Sequence, residues 1–248
     1  MGKHEKRSHD FSTLLSDNSP FSYKEAYKSL RTNLSFASIN KQCKTIIITS
    51  SIPNEGKSTV AVNLAISLAE SDAKVLLIDC DLRKSTLRRL LRVRPEYYIG
   101  LTSLLTGNST PKECIFKHPK INCDVLLAGA TPPNPAELLS SPQMEELLKQ
   151  LSNQYDYIIC DTPPVSVVTD AAAMCRFCDG VILVVRQKYS TKEQVWMAKR
   201  NLDAVEANII GTILSCYDMS DDVQSAKMYY RGYYQYGYSN RKQEERHD

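Results

Sequence analysis

Five short runs of apolar residues predict buried β-strands, because they show little polar alternation and contain many β-branched side chains. They are TIIITS at 45–50, VLLID at 75–79, YDYIICD at 155–161, VILVV at 181–185 and NIIGTIL at 208–214. Strands that are apolar on both faces are typical of a parallel sheet with helices on each side. The pattern therefore predicts an α/β fold built on a mostly parallel, twisted sheet.

Apolar residues at helical spacing predict the segments that cover this sheet. In 22–39 they recur at intervals of four, four and three residues. The segment KSTVAVNLAISLAE, which begins at residue 57, has apolar residues on more than one face, as expected of a helix beside a sheet. Further helices are predicted at 84–92, 135–151 and 191–206.

The two ends of the chain differ in composition from the middle. Residues 1–20 are polar and charged, so we expect no fixed structure there. From about residue 217 the aliphatic pattern stops, and the segment MYYRGYYQYGY contains six of the fourteen tyrosines. We therefore expect a flexible segment at 1–20, an α/β domain at 21–216 and a flexible Tyr-rich tail at 217–248.

Composition and charge argue against several classes of protein. A formal net charge of +3 over 248 residues gives no argument for nucleic-acid binding. The longest purely apolar run, 181–185, is far shorter than a membrane-spanning helix. No apolar signal segment follows the polar start, and Lys6 breaks the myristoylation pattern. We expect a cytoplasmic protein.

The eight cysteines are scattered along the chain. Cys80 and Cys160 lie inside predicted strands, where cysteine acts as a small hydrophobic residue. Cys175 and Cys178 have the C-x-x-C spacing, but no second pair completes a zinc site. We expect buried structural thiols rather than a redox or metal site.

A phosphate-binding loop is predicted at SSIPNEGKST, residues 50–59, between the first strand and its helix. Backbone N–H groups and Lys57 would face the phosphates, and Ser58 would bind Mg²⁺. Ser51 takes the place of the first glycine of the usual pattern. A left-handed φ at Ser51 would cost about 1 kcal/mol or more, so we expect a different path over the first residues. The predicted ATP-binding residues are Ser51, Pro53, Asn54, Glu55, Gly56, Lys57, Ser58 and Thr59.

Acidic residues end two other predicted strands, with Asp79 and Asp81 in VLLIDCDLR and Asp161 in YIICDTPP. In a parallel sheet these ends lie on one edge, beside the phosphate loop. Three carboxylates there would repel one another unless a cation were present. The natural candidate is Mg²⁺ bound to a nucleotide phosphate and held by one or two carboxylates and water. For any single one of these aspartates, the alternative is that its side chain only caps a helix or starts a turn.

These three motifs together resemble the bacterial tyrosine kinases of capsule and exopolysaccharide synthesis (BY-kinases). In that family they correspond to the Walker A, A′ and B motifs of a P-loop NTPase fold. The family often has Ser-x-x-Pro-x-x-Gly-Lys, which Ser50, Pro53, Gly56 and Lys57 match, with Ser51 inside the pattern. The segments GLTSLLTG at 100–107 and PPNPAELLSSP at 132–142 are similar to the family as well. The resemblance extends from about residue 22 to 238.

The resemblance implies a protein-tyrosine kinase that uses ATP and Mg²⁺. Lys57 would hold the phosphates, and Ser58, Asp79, Asp81 and Asp161 would form the magnesium site. One of the acids of the second motif would take the proton of the incoming tyrosine. The kinase would autophosphorylate in trans. The implied acceptors are Tyr229, Tyr230, Tyr233, Tyr234, Tyr236 and Tyr238.

The resemblance also implies partners. Family members form a ring through Glu-x-x-Arg-x-x-Arg on the first helix, which corresponds here to Glu25, Lys28 and Arg31. Lys28 replaces an arginine of the family motif, and lysine cannot make the same bidentate contact. The alternative is that these residues form only an ion pair on an exposed helix. A membrane-spanning adaptor would recruit and stimulate the kinase at the inner face of the cell membrane. A protein-tyrosine phosphatase and further protein substrates are implied, and nucleic acid is not expected.

Two other functions stay open from the sequence. The related ParA/MinD-like partition and division-site ATPases are nucleotide-switched dimers without kinase activity. They carry a second lysine early in the loop, at the position of Ile52 here. A third possibility is an aromatic tail that binds RNA or itself, although only Arg231 lies among its tyrosines.

Overall fold

The computed structural model of the chain describes residues 14–37, 43–94 and 99–217. The predicted acceptor tyrosines at 229–238 and residues 1–13 lie outside the described residues. The chain divides into two units, 1–215 and 216–248, and the architecture below is that of the first.

The described residues contain one seven-stranded sheet with the order β3-β4-β2-β5-β1-β6-β7. Every neighbouring pair is parallel except β3 with β4, which is antiparallel at one edge. The mostly parallel sheet predicted from the apolar runs is confirmed. The strands are β1 Thr45–Ser50, β2 Val75–Asp79, β3 Ile115–Lys117, β4 Asp124–Leu126, β5 Tyr157–Asp161, β6 Gly180–Arg186 and β7 Ile209–Ser215.

Helices connect these strands and cover the sheet. The α-helices of the described residues are α1 Phe21–Ala37, α2 Lys57–Ala69, α3 Leu87–Leu90, α4 Leu101–Leu105, α5 Pro111–Cys114, α6 Pro135–Leu139, α7 Pro142–Ser152, α8 Asp170–Met174 and α9 Lys192–Asp203. A short 3₁₀ turn at Cys175–Phe177 follows α8.

Two predicted helices differ from the observed ones. The segment predicted as one helix at 135–151 is two helices, because Pro142 starts α7 and Ser141 caps it by accepting a hydrogen bond from the Met144 N–H. The helix predicted at 84–92 is only the single turn α3, although Leu87 and Leu90 are buried as an amphipathic face requires.

The sheet separates two apolar layers. Ile46 and Ile48 of β1 face the layer that contains α1 and α2, whereas Ile47 faces the layer that contains α7 and α9. This alternation follows from the two-residue period of a strand. Both faces of the sheet are therefore buried, which explains why its central strands lack polar alternation.

Part of the segment predicted to be flexible is packed. Leu14 and Leu15 are buried in the layer with α2, and the Leu15 N–H donates to Asn63 Oδ1 at 2.8 Å. Burial of these two leucine side chains stabilises this part of the segment. The average composition of 1–20 is polar and does not indicate it. From Leu14 onward, the expectation of no fixed structure is corrected.

Helix α9 places the only tryptophan of the chain on the surface. Ala198 and Leu202 of this helix are buried, while Trp196 is 64% exposed and Met197 is also exposed. The indole therefore lies on the side of α9 that faces away from the core.

Among the described residues, the cysteines are free thiols, and six of the eight are buried. Cys178 is half-buried and Cys216 is exposed. None of the described helices is long and apolar enough to cross a membrane.

Candidate active site

The predicted phosphate loop connects β1 to α2 at the carboxyl edge of the sheet. Asn54 and Gly56 adopt left-handed conformations, with φ of 67° and 87°. Ser51 does not, so the serine at the first glycine position carries no backbone strain of that kind. The prediction of a different path at the start of the loop is consistent with this geometry.

Glu55 organises the loop in a way that the sequence motif does not indicate. Its side chain is fully buried, and its Oε2 accepts hydrogen bonds from Ser51 Oγ at 2.8 Å and the Ile52 N–H at 2.7 Å. Its Oε1 accepts from Ser190 Oγ and, at 3.3 Å, from the Arg186 N–H. The carboxylate therefore faces the protein interior, and only the backbone of Glu55 is available to a nucleotide.

Lys57, the first residue of α2, brings two of the predicted acids together. Its Nζ lies 3.2 Å from Asp81 Oδ2, 3.5 Å from Asp161 Oδ1 and 3.3 Å from Ser58 Oγ. The register of the sheet explains the proximity, because Asp161 at the end of β5 pairs with Ile48 of the adjacent β1. Lys57 is itself buried, as are both acids.

Asp79 lies beside this group but contacts other partners. It pairs with Asp161 across β2 and β5, and its carboxylate accepts from Ser85 Oγ at 2.6 Å and from the Asp81 N–H at 3.2 Å. Ser85 is a further residue of the site that the motifs did not include. The three acids thus share one edge of the sheet, but only Asp81 and Asp161 contact Lys57.

Burial and mutual repulsion change the protonation of these groups. Burial, followed by the charge of Asp161, raises the pKa of Asp79 to about 7. Burial also raises the pKa of Asp161, although the Lys57 charge opposes it. For Lys57, burial lowers the pKa, but the attraction of Asp161 and Asp81 outweighs it and the net shift is upward. The lysine therefore stays charged.

The donor set fits a cation that is held by few protein ligands. No group of three or more His, Cys, Asp or Glu side chains in the described residues forms a ready metal cage. However, Asp161 Oδ2 is buried without a hydrogen-bond partner, beside Ser58 and Asp81. An unpaired buried carboxylate oxygen is costly unless a cation or donor reaches it. Mg²⁺ bound mainly by water and phosphate needs one or two such carboxylates.

The remaining predicted loop residues surround these groups. Pro53 and Asn54 are exposed at the tip of the loop, and Ser58 and Thr59 are half-buried in the first turn of α2. Thr86 Oγ1 lies 2.9 Å from Ser58 Oγ. This contact ties the loop after β2 to the first turn of α2.

The predicted ring residues lie on α1. Lys28 Nζ contacts Glu25 Oε1 at 2.8 Å on the exposed side, while Arg31 donates to the Ser67 carbonyl of α2. Within one copy of the chain, these residues therefore pair with each other or with α2.

Comparison with known proteins decides the family. Residues 43–209 match the family model of an AAA domain. The tyrosine-protein kinase YwqD of Bacillus subtilis is 42% identical over 191 residues, which are 77% of this chain and 80% of that protein. The putative tyrosine-protein kinase CapB of Staphylococcus aureus is 33% identical over 208 residues, 84% of this chain and 90% of that protein.

The chain belongs to the bacterial tyrosine-protein kinase family. The solved kinase domain of Escherichia coli tyrosine kinase ETK agrees, with a TM-score of 0.78 and 36% identity over 86% of this chain and 82% of that chain. The predicted P-loop fold and the predicted class of enzyme are confirmed: this protein is a tyrosine-protein kinase.

Proposed function

We propose that this tyrosine kinase binds ATP with Mg²⁺ at the phosphate loop and phosphorylates the tail tyrosines of another copy of the chain. The observation that carries the proposal is the position of the Lys57 ammonium between Asp81 and Asp161 at the carboxyl edge of the sheet. Phosphoryl transfer depends mainly on positioning and on neutralising phosphate charge, and a buried lysine at this edge of the sheet supports both roles.

Each residue receives a role from its position. Lys57 would turn from the carboxylates to the phosphate oxygens when ATP binds. Ser58 and Asp161 would hold Mg²⁺, and Asp79 would hold one of its water ligands. When bound, Mg²⁺ neutralises charge on the phosphates. Loop residues Ser51 to Thr59 would surround the triphosphate mainly through backbone N–H groups.

Asp81 is the residue that we assign to the proton of the incoming tyrosine. A tyrosine hydroxyl with a pKa of about 10 is a poor nucleophile until a base takes its proton. Asp81 is 5% exposed, whereas Asp79 and Asp161 are fully buried. Asp81 is therefore the acid of the three that a substrate side chain reaches first.

The tail supplies the acceptors in this proposal. Its tyrosines are Tyr229, Tyr230, Tyr233, Tyr234, Tyr236 and Tyr238. A tail tethered to a neighbouring copy reaches a high effective concentration, so it requires little intrinsic affinity for the site. We further propose that the assembly regulates capsular or extracellular polysaccharide synthesis or export.

Mass spectrometry of the full chain incubated with Mg-ATP, beside a Lys57→Met variant, tests the kinase proposal. We expect several phosphorylations within 229–238 in the wild type and none in the variant, whose folding is checked by thermal melting. ATP hydrolysis by the wild type without phosphotyrosine on the chain would contradict autophosphorylation. Phosphorylation that is confined to other residues would remove the tail from the proposal.

The membrane partners are proposed from the resemblance to capsule and exopolysaccharide kinases. A membrane-spanning adaptor would bring the kinase to the inner face of the cell membrane, and a protein-tyrosine phosphatase would reverse the reaction. Fractionation of cells with and without the adaptor tests recruitment. An unchanged share of the kinase in the membrane fraction would count against it.

A further inference from the structure

Two backbone carbonyls of the phosphate loop are held by the ends of β6 and β7. Arg186, the last residue of β6, donates from a guanidinium nitrogen to the Asn54 carbonyl at 3.1 Å. Ser215, the last residue of β7, donates from Oγ to the Glu55 carbonyl. Arg186 and Ser215 are direct neighbours in the register of the two strands, so both donors come from one place on the sheet.

Holding these carbonyls also sets the direction of the next amides. In a planar trans peptide the C=O and N–H groups point in opposite directions, and the described residues contain no cis peptide. The N–H of Glu55 therefore points away from Arg186, and the N–H of Gly56 points away from Ser215. Neither N–H has a hydrogen-bond partner among the residues that the structure describes.

Free amides in this setting are donors for an anion. They precede α2, whose first N–H groups also lack partners within the helix. Successive amides next to left-handed residues form a concave site for phosphate oxygens. The Glu55 carboxylate fixes the loop from inside, since it joins Ser51 and Ile52 to Ser190 and the Arg186 N–H.

We propose that Arg186 and Ser215 are positioning residues for the phosphates of ATP. They would act through the loop carbonyls by keeping the Glu55 and Gly56 amides directed at the nucleotide. The inference rests on the proposed ATP site and adds how its donors are oriented. It assigns Ser215 to the orientation of the loop and not to a direct contact with the nucleotide.

The variant Ser215→Ala tests this role, because it removes one carbonyl anchor. We expect its KM for ATP to rise about fivefold, the size of one hydrogen bond, with kcat changed less than twofold. Arg186→Gln should behave similarly. Thr212→Ala is the matched control, since Thr212 is an exposed hydroxyl on the opposite face of β7 without a side-chain contact among the described residues.

Calorimetric binding of inorganic triphosphate separates orientation of the loop from contact with the nucleoside. If the inference is correct, Ser215→Ala weakens triphosphate by the same factor as ATP, while thermal melting shows a folded variant. Weaker ATP binding with unchanged triphosphate binding would overturn it in favour of a contact to the base or ribose. Equal binding by wild type and variant would overturn only this inference. A wild type that binds neither compound would overturn the ATP site as well.

Discussion

Ser51 occupies a position where the usual phosphate-loop pattern has glycine, and its hydroxyl donates to the buried Glu55 carboxylate. Because its φ is not left-handed, glycine would bring no relief of strain there. Glycine would instead remove a hydrogen bond to a buried acid and increase the freedom of the unfolded chain. Serine in place of glycine at position 51 therefore stabilises this loop through its hydrogen bond to Glu55.

We therefore predict that Ser51→Gly lowers the free energy of unfolding by about 1 to 3 kcal/mol. Urea unfolding measures this change, and Ser51→Ala separates the loss of the hydroxyl from the effect of glycine on the backbone. A glycine variant as stable as the wild type would contradict the structural role of the Ser51–Glu55 contact.

Only some of the contacts in the site follow from the sequence. Lys57, Asp81 and Asp161 were predicted as a group because strand ends and the loop motif place them on one edge. The interior position of Glu55 was not predicted, since a charged residue beside a glycine is usually exposed. The contacts of Glu55 to residues 186 and 190 join parts of the chain more than 130 positions apart.

At the scale of elements, α4 begins in close contact with the segment that follows β4. The N–H groups of Leu101 and Thr102 donate to the carbonyls of Leu127 and Ala128 at 2.8 and 3.0 Å. The preceding Gly100 has an extended backbone, so space rather than φ selects glycine there. A Cβ at this position would lie 2.3 Å from the Leu127 carbonyl oxygen.

We predict that Gly100→Ala destabilises the protein by about 2 to 3 kcal/mol, because backbone on both sides has to shift. Gly211→Ala on β7 is the matched control, since its added Cβ has no neighbour within 4 Å. That control should be neutral or slightly stabilising. Urea unfolding measures the free energy of unfolding of both variants. Equal values for Gly100→Ala and Gly211→Ala would contradict the close packing at the start of α4.

Other elements show why the fold was only partly predictable. The strands β1 and β2 match the predicted runs at both ends, because their apolar residues are continuous. The strands β3 and β4 have three residues each, too few for an apolar run to be distinctive, and they were not predicted. The order of strands depends on contacts distant in sequence, so the short local patterns do not specify it.

At the scale of the whole molecule, charge on the tail is expected to control assembly. Six phosphotyrosines would add about −9 to −12 charges at neutral pH. The entire unmodified chain has a formal net charge of only +3. Repulsion between subunits would then oppose the ring that we propose to form through Glu25, Lys28 and Arg31.

We predict that phosphorylation lowers the mass of the assembly in light scattering. A variant with all six tail tyrosines changed to Phe, incubated with Mg-ATP, should keep the larger mass. Glu25→Ala with Lys28→Ala should also lower the mass, whereas breaking the similar exposed pair Glu145–Lys149 should not. Equal masses before and after phosphorylation would contradict the electrostatic control.

The lone tryptophan gives this kinase a built-in optical probe. Because Trp196 projects from α9 into water, its emission is expected to shift to shorter wavelength whenever another molecule covers that helix. Quenching by a small solute such as acrylamide would decrease at the same time. Any adaptor, substrate or second copy that docks on α9 can therefore be detected in solution without attaching a dye.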